Sequence, residues 1–183
     1  MIESCFMKRF AVVFIIFLAL IACKKSSQEK PSASGNQTVI SSKDGKNQIT
    51  LSDGWQEAQD LNRSAALQAA DSLGESFLIC ISEEKKSVPN ITLEQHAAAT
   101  LKRMLGGFKE ARVLGPAKLM INGKPAIQYE IHGVFNQTKV AYVHTTIETS
   151  SQFNQIVAWT TETKFETNRA GIQKVVGSFK EKA

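Results

Sequence analysis

Residues 111–120, 124–135, 139–149 and 152–161 read as four extended runs whose turns are marked by Asn122-Gly123, Asn136-Gln137 and Ser150-Ser151. Connections this short admit antiparallel hairpins, because a parallel crossover needs a dozen residues or more. Pairing about Asn136-Gln137 sets Tyr129 opposite His144 and Ile131 opposite Tyr142, an aromatic and aliphatic stripe on one face. The chain is thereby committed to an antiparallel meander, which argues against a parallel nucleotide-binding sheet.

Upstream, residues 38–42 and 47–52 are strand signals around Lys43-Asp44-Gly45-Lys46, whose Asp-Gly pair suits a hairpin turn. Asp53-Gly54-Trp55 breaks the second of them. Residues 64–71 and 75–82 flank Ser72-Leu73-Gly74 as another hairpin, and within it Phe77-Leu78-Ile79-Cys80-Ile81 is apolar at every position. Such a run is buried on both faces, so it belongs inside the sheet with helices covering it. Two helices are available as cover. Thr92-Leu93-Glu94-Gln95 is a capping box opening a helix that carries Leu93, Ala97, Leu101, Met104 or Leu105, and Phe108, with Gly106-Gly107 ending it. Thr163 to Glu166 reads as a second capping box, and Phe165, Ile172, Val176 and Phe179 line a closing helix. The expected fold is α+β, an antiparallel sheet of about six to eight strands flanked by two main helices.

The amino terminus is of another kind. Residues 10–22 are apolar and follow Lys8 and Arg9; as a helix they reach about 20 Å, short of the roughly 30 Å of a hydrocarbon core. They suit the apolar region of a secretory signal. The run Leu20-Ile21-Ala22-Cys23 closes this segment and resembles a bacterial lipobox, which implies loss of residues 1–22 and a diacylglycerol on the Cys23 sulfur. Glu3 sits oddly in a basic leader, so Met7 competes with Met1 as the start. Two or three acyl chains on Cys23 hold a protein firmly where one binds only reversibly, and Lys24 and Lys25 lie against the headgroups. Lys24, in place of Asp, resembles under enterobacterial-type sorting an outer-membrane lipoprotein facing the periplasm. Residues 23–37 are then a lipidated terminus and tether, in which the polar stretch 26–37 spans about 20 Å as a coil. Residues 38–183 are the globular domain.

Without the signal, 20 basic residues stand against 16 acidic ones, a net +4 with no Arg-rich block, which argues against nucleic acid as a partner. Cys5 leaves with the signal and Cys23 carries lipid, so Cys80 alone remains. A single thiol makes no internal disulfide, and the domain stands on its core.

Five segments in order, ITLSDGW at 49–55, TLEQ at 92–95, INGKPAIQYEI at 121–131, FNQIVAW at 153–159 and GSFK at 177–180, resemble the PsbP-like domain. That family includes the DcrB-type bacterial lipoproteins and shares its fold with the small Ran-binding Mog proteins. The resemblance covers most of residues 45–180. It implies an α/β/α sandwich built on an antiparallel sheet, and binding or assembly subunits without a shared active site. No set of ion ligands carries over to this sequence.

The chemistry-bearing residues fit that expectation. His96, His132 and His144 have no metal-ligand spacing, so neither a metal nor a cofactor is expected. Cys80, within an apolar strand, reads as an inert small hydrophobe. Glu130 and Glu148 are the raw material of glycoside hydrolysis, yet they alternate with apolar neighbours as outward strand residues do. A hydrolase would need His132 or His144 within reach of Glu130 or Glu148 in a cleft. Trp55, Tyr129, Tyr142, Phe153 and Trp159 are candidates for an aromatic binding surface, but core packing accounts for most of them. Trp55, at a strand exit, is either a plug over the sheet end or a binding surface. The sequence therefore predicts no catalytic residues. It predicts an envelope lipoprotein anchored to the membrane through Cys23 and acting as a non-catalytic binding or assembly module for an envelope protein. The alternative is a small envelope ligand-binding protein or hydrolase with a pocket between sheet and helix.

Overall fold

Turn chemistry and alternation decide where the strands fall. The computed structural model describes residues 37–182. Its first hairpin pairs β1 (Thr38–Ser41) with β2 (Asn47–Leu51), turning through Gly45 at φ 74°, where a side chain would be strained. There follow β3 (Gln56–Glu57), β4 (Leu67–Asp71), β5 (Ser76–Glu84), β6 (Phe108–Ile121), β7 (Lys124–Phe135), β8 (Thr138–Glu148) and β9 (Gln152–Thr161). These seven form one antiparallel sheet in the order β3-β4-β5-β9-β8-β7-β6. A last short strand, β10 (Lys180–Glu181), pairs with the free edge of β2 to complete a separate three-stranded sheet. The meander has the expected register, with Tyr129 opposite His144 and Ile131 opposite Tyr142. The apolar β5 lies inside the sheet between β4 and β9.

Helix α1 (Leu93–Leu105) opens on the expected capping box: Gln95 N–H donates to Thr92 Oγ1 at 3.2 Å, and Thr92 N–H donates to Gln95 Oε1 at 2.9 Å. It ends sooner than its apolar spacing suggests, and Phe108 starts β6 instead of extending the helix stripe. At Gly107 a Cβ would stand 2.8 Å from the Phe135 ring, so glycine lets the helix end press against β7. Helix α2 (Phe165–Gly177) departs from the sequence reading at its start. No capping box forms at Thr163, because the chain enters through the tight turn Glu162–Lys164 and Lys164 already has helical angles, φ −98° and ψ −8°. A side-chain cap needs an extended residue at that place. The Thr163 hydroxyl lies 3.3 Å from that of Thr161.

Strand alternation gives the large sheet two apolar faces. On one, Leu78, Cys80, Ala141, Val143, Ile156 and Ala158 join Phe165, Ile172, Val175 and Val176 of α2 and Ile40, Ile49 and Leu51 of the small sheet in the main core. On the other, Ile127, Tyr129 and Phe153 pack under Leu93 and Ala97 of α1, with Ile79 and Val157 beside them. The layers are α1, the seven-stranded sheet, then α2 with the small sheet. At one edge β6 is exposed along most of its length, but its pairing slips between Lys109 and Arg112 and again between Leu114 and Ala117. Such bulges blunt an edge that would otherwise pair with another chain.

Candidate functional site

Strand β7 and the start of α2 bring together a line of charges running Glu162, His132, Glu130, Arg169, Glu166. His132 lies 2.8 Å from Glu130 through Nε2 and 2.9 Å from Glu162 through Nδ1. A ring nitrogen facing a carboxylate has to donate, so both carry protons and the ring is an imidazolium. Partial burial works against that charge, but hydrogen bonds to Glu130 and Glu162 outweigh it and raise the His132 pKa above its usual value. Glu130 is likewise opposed by burial, and the guanidinium of Arg169 together with His132 holds its carboxyl below the usual range. Arg169 grips Glu130 with both terminal nitrogens, bonds Glu166 at 2.8 Å, and lies 4.4 Å from the centre of the Phe165 ring.

This group meets the distance condition for a hydrolase and fails its chemistry. Neither ring nitrogen of His132 is free to take a proton, and Glu130 has none to give. What the network does is fasten the first turns of α2 to β7. Glu148, at the far end of β8, pairs with Lys85 at 2.6 Å.

The other histidines are separate. His144 is fully buried, with the Gln155 amide 3.0 Å from its Nε2, and burial pushes its pKa down to about 4. His96 on α1 stacks on Phe153 at 4.5 Å between ring centres and bonds Glu83 at 3.0 Å. It walls a cleft of about 370 Å³ between α1 and the sheet, shared with Thr100, Arg103, Met104 and Gln155. Among the described residues no group of three or more His, Cys, Asp and Glu side chains is placed to hold a metal ion. Burial pushes the Cys80 thiol up to about 12, which leaves it without nucleophilic thiolate. Trp55 is 7% exposed and sits in the main core with α2, so its ring has little area to offer a partner. Leu20, Ile21, Ala22 and Cys23 lie outside the described residues.

The aromatic side chains that remain accessible are elsewhere, at the end of the sheet where β9 finishes. Trp159 stacks between Phe77 at 5.4 Å and Tyr142 at 5.7 Å, with interplanar angles of 26° and 14°. Phe108 meets Tyr142 edge-on at 5.2 Å and Phe135 at 5.4 Å. Five rings from five strands thus form one ladder on the α1 side of the sheet, and all five are half-buried. Met104 in the last turn of α1 packs against its inner margin. Beyond that the rings open into a cleft of about 530 Å³ lined by Phe77, Phe135, Val140, Tyr142 and Trp159, with Asn136 at the rim. The sequence offers Tyr142 and Trp159 among five aromatics for a binding surface, most of which core packing explains more cheaply, and does not single out the ladder. Its signal was there in part, since Tyr142 was already placed by the β7–β8 register, but Phe77 and Trp159 become neighbours only once β9 is known to lie beside β5.

With the two-helix, seven-strand sandwich and its ladder in place, the class of fold is defined: this is the fold of PsbP and Mog1 proteins. The cyanobacterial PsbP protein CyanoP of Synechocystis superposes with a TM-score of 0.63 at 13% identity over 89% of this chain and 99% of its own. LpqN of Mycobacterium tuberculosis, described as involved in cell envelope biogenesis, gives 0.57 at 13% identity over 80% of this chain and 91% of its own. The Ran-binding protein Mog1p of Saccharomyces cerevisiae gives 0.55 at 12% identity over 80% and 95%. No protein-family model and no curated protein sequence matches the chain.

Proposed function

We propose that this protein is a lipid-anchored component of the bacterial cell envelope whose domain works as a non-catalytic binding or assembly module. The observation that carries this reading is the ladder of half-buried rings, because aromatic area left open at the end of a sheet is what recognition uses. His96, His132, His144, Glu130 and Glu148 support it too, since each is bonded to a neighbouring side chain within the fold. Lipidation at Cys23, with residues 20–22 as the rest of the lipobox, adds the location. Anchoring raises the local concentration of the domain near membrane-bound partners. That LpqN shares the fold and is described as involved in envelope biogenesis agrees with this location. Facing the periplasm from an outer membrane is the sorting that Lys24 suggests.

Two measurements test the reading. Cys23→Ala should leave the domain folded and release it from membranes; a variant that still sediments with membranes and takes up as much labelled fatty acid refutes the anchor. A photo-crosslinker at Trp159 should capture an envelope component, while the same probe at Leu73, which is 93% exposed on the β4–β5 turn, should capture less.

A further inference from the structure

The cleft of about 370 Å³ between α1 and the sheet is walled by two neighbouring strands and one stripe of the helix. Ile81 and Glu83 project from the α1 side of β5, Gln155 stands directly across from Ile81 on β9, and His96, Arg103 and Met104 line the cleft from α1. Glu83 and Arg103 carry opposite charges into this one space. Among the described residues they are not paired within 4 Å, and Arg103 has no other carboxylate at that distance, whereas Lys46, Lys85, Lys118, Lys124, Lys164 and Arg169 all have one. A hydrogen bond is also left unmade. His96 is 4% exposed; its Nε2 donates to Glu83 at 3.0 Å, and its Nδ1 is buried without a partner. Buried polar atoms are normally paired, so this wall has a need that the protein itself does not meet. The Gln155 amide nitrogen is taken by His144 at 3.0 Å, which leaves its oxygen to accept. Ile81 and Met104 supply the apolar area.

We infer that this cleft binds a small zwitterion of the amino-acid or dipeptide class, its ammonium on Glu83 and the Gln155 oxygen, its carboxylate on Arg103, and an aliphatic side chain against Ile81 and Met104. A simple anion drawn to Arg103 also meets Glu83, and a simple cation on Glu83 also meets Arg103. A molecule carrying both charges satisfies both walls, and the penalty on the other two is what makes the site selective.

The spacing agrees. Arg103 stands about 10.5 Å farther along α1 than His96 and its partner Glu83. Helix side chains lean toward the helix start, so Arg103 is placed to reach back along the cleft and leave a gap that the two ends of such a ligand bridge. The volume is that of a small-ligand pocket, near the lower end of the roughly 300–1,000 Å³ such pockets span. This site lies apart from the open aromatic cleft, and it stands or falls independently of the larger partner proposed above.

The test is calorimetric titration of the full chain, purified in detergent, with L-leucine and with L-leucyl-L-leucine. At least one should bind, and its N-acetyl and carboxamide derivatives, each lacking one charge, should bind at least about tenfold more weakly. Arg103→Gln should weaken the zwitterion by a similar factor and the carboxamide by less; Glu83→Gln should weaken the zwitterion and cost the N-acetyl form less. Arg103 is exposed and the Glu83 side chain is 43% exposed, so both variants should keep the wild-type urea midpoint. Arg112→Gln, on the α2 face of the sheet beside His132, should leave binding unchanged. No binding of either probe up to about 10 mM, derivatives that bind as tightly as their parents, or an equal loss in Arg112→Gln and Arg103→Gln overturns the inference. None of these outcomes alters what the crosslinker at Trp159 captures, so failure here and failure of the binding module are told apart.

Discussion

The two ends of the seven-stranded sheet are finished in opposite ways. Where β9 begins, side-chain amides close the structure: Asn47 donates to Gln152 at 2.7 Å and Asn154 at 3.0 Å, Ser82 donates to Asn154 at 2.7 Å, and Gln152 donates to Asp44 at 2.7 Å and Glu84 at 2.8 Å. Asn47, Gln152 and Asn154 are all at least 98% buried. Where β9 finishes, five rings stand half open. A buried amide has to be paired inside the protein, so the closed end is committed to the fold. Ring area left uncovered is not. The difference separates the part of the sheet that stabilises from the part that is available to a partner.

Phe153 and Trp159 lie on the same face of β9, one at each end, and make the sharpest test. Phe153→Ala should cost about 3–5 kcal/mol in urea unfolding, because its ring is 1% exposed between Leu93 and Ala97 of α1. Next, Asn154→Ala should cost about 2 kcal/mol, since the Asn47 amide and the Ser82 hydroxyl each lose an acceptor. A loss below about 0.5 kcal/mol would mean that the amides do not close that end.

A titration contrast follows the same division between interior and rim. Buried His144 refuses a proton that the unfolded chain accepts at 6.5, so stability should fall as pH drops from 6.5 to about 4, at no more than about 1.4 kcal/mol per unit. His132, near the open end, has the opposite sign. Its contribution is complete below 6.5 and is lost as pH rises through its raised folded value. Urea midpoints against pH should show a flatter acid limb for His144→Phe and a flatter upper limb for His132→Gln; unchanged limbs would break the contrast. The last test is the counterpart of the first. Trp159→Ala should cost less, about 2 kcal/mol, because its ring is only partly buried. Should it match Phe153→Ala, the ladder is core and the two ends are alike.

Local rules carried far in this sequence. A two-residue connection fixes register, so the pairing of Tyr129 with His144 was legible from Asn136-Gln137 alone. The capping box at Thr92 and the burial of Cys80 were legible for the same reason, each resting on residues within a few positions. Where several elements had to meet, the sequence was mute. It does not announce that Lys164 is already helical, that β10 leaves the large sheet to pair with β2, or that Glu162 completes the cradle of His132. The ladder was hidden because β5 and β9 are separated in sequence by a helix and the first three strands of the meander.

That separation also sets an order of events. The hairpins from β6 to β9 pair residues close in sequence, whereas β5 must wait for β9, and β2 must wait for β10 at the very end of the domain. Loop closure over such distances is slow, and it rewards nothing until both partners exist. During synthesis the first strands therefore have no place to bury Phe77–Ile81 until residues 152–181 have emerged. A chain built this way completes its fold only after almost all of the domain has been made.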